Sequence, residues 1–354
     1  MKYKTFCAAN SGDGFISLFD TLLDEKRTNV YYIKGGPGSG KSTLLKQIAA
    51  KTDSAELIHC SGDPSSLDGI VLPKQKAVII DATAPHSYEP QYPGVGGNII
   101  DLGEGWEPER MDKETIIKLS DQKKELYKNC YSLLKSAKNI HNGVFSPLKK
   151  KLSIQKLHAA ADKILQQNAL WEHHNRTPHI QKRFLSGISP DGCVTYWDTF
   201  CSLGKNIIVL DDRWMVGHVF LSYLDRRLTE NGIDHINCLH PLLGKDTLQH
   251  IIIPSAELSI VSRDGLFSLD FPDEYILRKI SLQSMIDKEY LCDNKNKLTF
   301  IKRIEREILN LSTEKLNAAR TLHLNIEQEY AKGTNFNATA GLREKLVNKL
   351  FSQT

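Results

Sequence analysis

The chain has 354 residues, 40% of them hydrophobic and 25% charged, with a formal net charge of +4. That composition belongs to a globular protein long enough for two domains with separate cores, and it excludes a disordered or fibrous chain. No run reaches the roughly 18 apolar residues that cross a bilayer, the opening MKYKTFCAANSGDGF turns polar too early for a secretory signal, and the seven cysteines show no CxxC pair, so reduced thiols in the cytoplasm are expected.

Along the chain, a short strand at Phe6–Ala9 and a helix come first. Apolar runs then follow at Val30–Ile33, Glu56–Cys60, Ala77–Asp81 and Asn98–Leu102. Continuous apolar runs between turn residues predict strands of a parallel sheet buried on both faces.

Directly after Val30–Ile33 stands Gly35-Gly36-Pro37-Gly38-Ser39-Gly40-Lys41-Ser42-Thr43, followed by the helix formers Leu44 to Ala50. It fills GxxxxGK[ST] in the strand–loop–helix setting that gives the motif its meaning. Glycines admit positive φ and let the backbone wrap a phosphate, while exposed N–H groups and a helix N-terminus face the anion. Lys41 then reaches the β- and γ-phosphates and the Ser42 hydroxyl ligates Mg2+. Downstream there is no complete NKxD to read guanine and no LSGGQ-like signature, so ATP is the expected nucleotide.

Lys-Ala-Val-Ile-Ile-Asp81 is an apolar strand ending in a carboxylate. Asp81 is thereby expected at the sheet edge where open α/β sheets bind ligands, holding Mg2+ directly or through water. No glutamate follows it, so the proton-accepting or water-orienting group is sought among Asp63, Asp68, His86 and Glu104. Asp63 and His86 are the favoured catalytic candidates beside Lys41 and Asp81. Against this stands the plainer reading of each as a turn-stabilising Asx residue or a surface histidine.

A helical pair is predicted next, over about 112–172. Ile116, Leu119, Leu126, Leu133, Leu134, Ala137 and Ile140 recur at helical spacing, and His141-Asn142-Gly143 with Ser146-Pro147 supply the turn. Residues 110–183 hold sixteen basic and six acidic side chains, a net +10, against −4 for 1–109 and −2 for 184–354. With Lys149-Lys150-Lys151 near its turn, this segment offers a surface to an anionic partner, nucleic acid or an acidic surface, where the plainer reading is a solvated helical face.

The remainder repeats the first half. SGDGFISLFDT (11–21) returns as SPDGCVTYWDT (189–199), Val30–Ile33 as Ile207–Leu210, His59-Cys60 as Asn237-Cys238, Ile70–Pro73 as Ile251–Pro254, Ala77–Ile80 as Leu258–Val261 and Ala137–His141 as Ala319–His323. The expected architecture is a P-loop NTPase-like three-layer α/β/α sandwich duplicated in tandem, 1–178 and 179–354. Each copy closes with a C-terminal helical hairpin, the second over about 295–351. In the second copy the phosphate loop becomes Asp212-Arg213-Trp214-Met215-Val216-Gly217-His218-Val219 and Asp81 becomes Ser262, so only the first copy is expected to bind nucleotide. Asp13-Gly14, Asp20-Thr21 and Pro73, common to both, are expected to serve the fold. Stretches present only in the first, Ser61–Gly69, Thr83–His86 and Asp101–Trp106, are expected to track the nucleotide.

In GGPGSGKST (35–43), CSGDPSSLDG (60–69), DATAPH (81–86) and NIIDLGEGW (98–106) the chain resembles a bacterial family of tandem P-loop ATPases over nearly its full length. The resemblance implies ATP binding and hydrolysis. Second halves in that family often retain a phosphate loop, and here Asp212–Val219 departs from it. Three functions are carried forward: an ATPase whose hydrolysis drives a rearrangement between its active and degenerate halves, a small-molecule kinase, and a non-hydrolysing nucleotide-dependent binding or sensing module.

Overall fold

Val30, Tyr31, Tyr32 and Ile33 are β-branched or aromatic and all buried, a sequence that suits a strand covered on both faces. It lies in a mixed α/β structure, a computed structural model that describes residues 1–85, 87–267 and 272–352. The first half runs β1 (Lys2–Phe6), β2 (Ala8–Ser11), β3 (Gly14–Ser17), β4 (Asn29–Lys34), α1 (Lys41–Ala50), β5 (Ala55–His59), β6 (Leu67–Leu72), β7 (Ala77–Asp81), β8 (Gly97–Asp101), α2 (Lys113–Lys149) and α3 (Ile154–Gln167). The second runs β9 (Ile180–Arg183), β10 (Ser186–Ser189), β11 (Gly192–Thr195), α4 (Trp197–Leu203), β12 (Asn206–Asp211), α5 (Gly217–Glu230) and β13 (His235–His240). It continues with β14 (Gly244–Ile253), β15 (Leu258–Arg263), β16 (Ile276–Ser281), α6 (Lys288–Lys332) and α7 (Ala340–Phe351).

There are two six-stranded sheets, ordered β1-β5-β6-β7-β4-β8 and β9-β13-β14-β15-β12-β16. Strand for strand the two orders are the same. In each, the third strand is antiparallel to both neighbours and every other pairing is parallel.

The expected all-parallel sheet is therefore corrected to a mixed one. Only residues 60–66 join β5 to β6 and only 73–76 join β6 to β7, whereas a parallel crossover needs a dozen or more. The short links force hairpins, and Leu67–Leu72 is a further strand beyond the four apolar runs expected. The single strand expected at Phe6–Ala9 is likewise two, since β1 stops at Phe6 and Ala8 opens the β2–β3 hairpin. That hairpin repeats in detail. Ser11 Oγ accepts the Asp13 N–H at 2.9 Å and donates to the Gly14 carbonyl at 2.7 Å. Ser189 Oγ does the same for Asp191 and Gly192, at 3.1 and 3.0 Å. Gly14 and Gly192 turn at φ of 91° and 98°, which glycine adopts without strain. Asp13-Gly14 thus serves the fold.

The chain forms two compact units that are discontinuous in sequence. Unit 1 comprises Met1–Ala8, Ser17–Cys130 and the residues from Thr313 onward; unit 2 comprises Ala9–Ile16 and Tyr131–Ser312. The expected division at 178 does not coincide with these units. The terminal part of α6 and all of α7 belong to unit 1, and the second part of α2 with α3 belongs to unit 2.

In unit 1 one face of the sheet is covered by α1 and α7. Leu44, Leu45 and Ile48 from α1 and Leu346 and Leu350 from α7 pack with Tyr31, Ile33, Ile70 and Ile79. Each fully buried Leu or Ile contributes about 1.5–3 kcal/mol, and this apolar stripe, more than helix propensity, holds a helix as short as α1. In unit 2 Phe200 of α4 packs with Ile207, Val209 and Val261.

The turn expected at His141–Pro147 is not there. α2 continues through Gly143 and Pro147 to Lys149. Its buried residues Leu134, Ala137, His141 and Leu148 keep helical spacing across the supposed break, and His141 Nδ1 lies 3.5 Å from Glu305 of α6. Burial along one face overrides the local preference of a single Gly and Pro.

Candidate functional site

Unit 1 builds its site where β4 ends. The parallel strands β4, β5, β7 and β8 deliver residues 35–40, 60–66, 82–85 and 102–106 to one sheet edge. Between β4 and α1 the loop turns through Gly35, Gly38 and Gly40 at φ of 140°, 71° and 87°, values that side-chain-bearing residues rarely hold. Gly40 is the N-cap of α1 and no side chain caps the helix, so the first-turn N–H groups keep the partial positive charge of a helix N-terminus.

Lys41 folds back over this loop. Its Nζ donates to the carbonyls of Gly35 and Gly36 at 2.7 and 2.8 Å and lies 3.7 Å from Asp81 Oδ2, beyond hydrogen-bonding distance. β7 pairs directly with β4, with Ile33 opposite Asp81, which is why two residues forty apart meet. Burial raises the Asp81 pKa against the lowering effect of Lys41, and Asp68 raises it further. Thr83 donates to Asp81 Oδ1 through its N–H and its hydroxyl. Ser42 Oγ accepts the Leu67 N–H at 3.0 Å, tying the first turn of α1 to the start of β6, where Asp68 is buried.

Asp63 is engaged differently. Its carboxylate accepts the Ser65 N–H and hydroxyl at 3.2 and 2.8 Å and the Ser66 hydroxyl at 2.6 Å. Burial would raise its pKa, but these hydrogen bonds outweigh burial and lower it. It closes the β5–β6 turn. Glu104 sits exposed on the 3₁₀ turn Leu102–Gly105. His86 lies outside the described residues. Asp101–Trp106 backs the loop: a Cβ at Gly35 would meet Leu102 at 3.3 Å and one at Gly36 would meet Trp106 at 3.0 Å. Unit 2 has the same strand and 3₁₀ turn at Ile276–Ser281 and Leu282–Met285, so that shape is common to both units and not confined to the first.

Residues distant in sequence complete the site. A Cβ at Gly36 would come within 3.2 Å of Tyr330, one at Gly38 within 2.9 Å of the Glu327 carbonyl, and one at Gly40 within 2.9 Å of Arg343. The glycines therefore also let the last turns of α6 and the first of α7 approach the loop backbone. His323 of α6 makes contact with Lys123 of α2 at 3.3 Å and with Glu327 at 3.6 Å. Burial, then the charges of Lys123 and Lys41, lower its pKa to about 4. The sequence carried one hint of this, because His323 ends the stretch that repeats Ala137–His141, and in unit 2 His141 stands near His218 and lowers its pKa.

In unit 2 the corresponding loop carries its own acceptor. Asp212 accepts the N–H groups of Val216 and Gly217 at 2.7 and 2.8 Å and the Ser262 hydroxyl at 2.8 Å. Burial, outweighing these bonds, pushes its pKa up to about 7. Ser262 pairs opposite Leu210, the register that Asp81 holds opposite Ile33. His218, His240 and Gln249 line a small cavity beside them. The basic segment 110–183 contributes to both units; Lys149, Lys150 and Lys151 are solvent-exposed, with Lys151 5.8 Å from the Tyr290 ring.

Among the described residues no three His, Cys, Asp or Glu side chains form a metal-holding group, and no helix is long and apolar enough to cross a membrane. The chain matches no protein-family model, no curated protein and no solved structure.

Proposed function

We propose that unit 1 binds ATP with Mg2+ on the loop Gly35–Thr43 and hydrolyses it, and that the two halves are tandem copies of a P-loop NTPase-like unit of which the second has lost the site. The observation that carries the reading is the Lys41 ammonium. Two of its three hydrogens are taken by loop carbonyls, which fixes the charge over the loop and leaves one donor for an anion. Left-handed glycines and an uncapped helix N-terminus surround it. The identical strand orders of the two sheets and the matching serine hairpins support the duplication.

The oxygen donors suit the cation. The Ser42 hydroxyl and the Asp81 carboxylate are hard ligands, and Mg2+ takes only one or two protein groups beside phosphate oxygens and water. When bound, the ion would neutralise charge on the phosphates. Lys41 would share that charge, and Asp81, whose carboxylate Thr83 holds in place, would orient the metal's inner shell. The Asp212 carboxylate accounts for the silence of the second copy, because it already occupies the N–H groups of Val216 and Gly217.

Titration calorimetry at millimolar ATP and Mg2+, beside phosphate release, tests the reading. The parent should bind with a dissociation constant in the micromolar range and release phosphate, and Lys41→Ala should lose at least about tenfold in affinity, the loss of a charge-assisted hydrogen bond. No heat with the parent, or an unchanged isotherm for the variant, refutes it. Binding without phosphate release favours the sensing module.

A further inference from the structure

Arg343 stands in the first turn of α7 and belongs, like the phosphate loop, to unit 1. Its Nη2 donates to the Ser39 carbonyl at 2.9 Å. The guanidinium lies against Gly40, whose hypothetical Cβ would be 2.9 Å from Nη2, 3.2 Å from Cζ and 3.4 Å from Nη1. Its Nε is shut off from solvent and has no acceptor among the described residues. Phe336 faces it at 5.8 Å. Burial lowers its pKa.

This is an unusual state for an arginine. A guanidinium presents five donors in a fixed fork and stays charged, and a half-buried cation with no ion-pair partner among the described residues loses hydration with little return. One carbonyl satisfies a single donor. What stands next to it is the backbone turn from which α1 starts and over which Lys41 is held. An anion seated on that turn would meet a second positive charge from the far end of the chain.

We propose that Arg343 is a phosphate-contacting residue of the nucleotide site, supplied by the C-terminal helix to the N-terminal loop. The inference rests on the nucleotide reading of unit 1 and adds the residue that pairs with the phosphate charge alongside Lys41. The rival role is a clamp: Arg343 could do no more than hold the Ser39 carbonyl and stiffen the loop. Charge separates the two, since a clamp needs only a donor, whereas a phosphate partner needs a cation.

The experiment is calorimetry on the full chain with ATP and with ADP, each with Mg2+, at two salt concentrations. It compares the parent, Lys41→Ala, Arg343→Gln and Arg343→Lys, with the melting temperature of each in the absence of nucleotide. Arg343→Gln is expected to weaken ATP at least tenfold, with a smaller dependence on salt than the parent and a nucleotide-free melting temperature within about 2 °C of it. Arg343→Lys is expected to keep most of the affinity and the parent's salt dependence. Full affinity in Arg343→Gln while Lys41→Ala has lost binding overturns the proposal and leaves the nucleotide reading standing. Equal weakening in both Arg343 variants with unchanged salt dependence also overturns it, in favour of the clamp. Parent-like binding by Lys41→Ala removes the nucleotide reading and this inference with it.

Discussion

The Asp212 carboxyl accepts the Gly217 N–H at 2.8 Å, so the helix N-terminus of unit 2 is closed by a side chain of its own loop. The corresponding position in unit 1 is Gly35, which has no side chain to offer. Of the eight aligned positions only Gly40 and Gly217 agree, and the change from Gly35 to Asp212 is the one that lets the turn of unit 2 satisfy its own N–H groups. Replacing Asp212 by Ala should leave two buried N–H groups and the Ser262 hydroxyl without an acceptor. The expected cost is about 2–3 kcal/mol, read by urea unfolding, with ATP affinity unchanged. A loss of ATP binding in a folded Asp212→Ala protein would show that unit 2 takes part in the site.

Glycine 38 offers a sharper test of the loop. It holds φ at 71° and a Cβ there would stand 2.9 Å from the Glu327 carbonyl. Gly38→Ala should therefore lower both the melting temperature and the nucleotide affinity, since left-handed strain and the backbone contact add to about 1–3 kcal/mol. An alanine variant as stable as the parent would mean that α6 does not press on this loop.

Asp63 and Asp81 should separate in kinetics. Asp63 closes a turn through Ser65 and Ser66, so Asp63→Ala should cost about 1 kcal/mol of stability and leave turnover within a few-fold. Asp81→Asn should retain the fold and lower Mg2+-dependent turnover by about a hundredfold, the scale of a lost charge partner at a reacting phosphate. Stopped phosphate release in Asp63→Ala, with the fold intact, would return Asp63 to the catalytic residues.

Acid should weaken unit 2 in a defined window. His250 is fully buried, its Nδ1 accepts the Ser262 N–H at 3.2 Å, and burial lowers its pKa to about 3. His218 is lowered to about 4, again by burial first. A histidine with a depressed folded-state pKa contributes stability above its unfolded value near 6.5 that is lost as pH falls. Asp212, raised to about 7, acts in the opposite sense, its contribution declining as pH rises from about 4 to 7. Between pH 4 and 6.5 two histidines oppose one aspartate, so the net uptake on unfolding is about one proton. Urea midpoints should fall with acidification in the parent and stay nearly level in His250→Gln; a parent profile that is flat across the window would refute the assignment.

The glycine-rich turn between β4 and α1 was legible because its requirements are local. Four glycines, a lysine and three hydroxyl residues within nine positions, set between an apolar strand and a helix-forming run, specify their own backbone whatever surrounds them. The two serine hairpins were legible for a similar reason: Ser11–Gly14 and Ser189–Gly192 carry the same turn chemistry in four residues each. The direction of β6 was written in the lengths of its two links, yet an apolar run by itself does not say whether it lies parallel or antiparallel. Tyr330, Glu327 and Arg343 had no signature in the sequence, and His323 only its likeness to His141. They sit about three hundred residues from the loop on helices whose faces look ordinary, and only packing decides that the glycines leave room for them. The same holds for α2, where buried Leu148 and the His141–Glu305 pair outweigh the breaking tendency of Gly143 and Pro147. Backbone geometry that a few neighbouring residues impose could be read from order alone; contacts that close a long loop of chain depend on surfaces that exist only after both ends have folded.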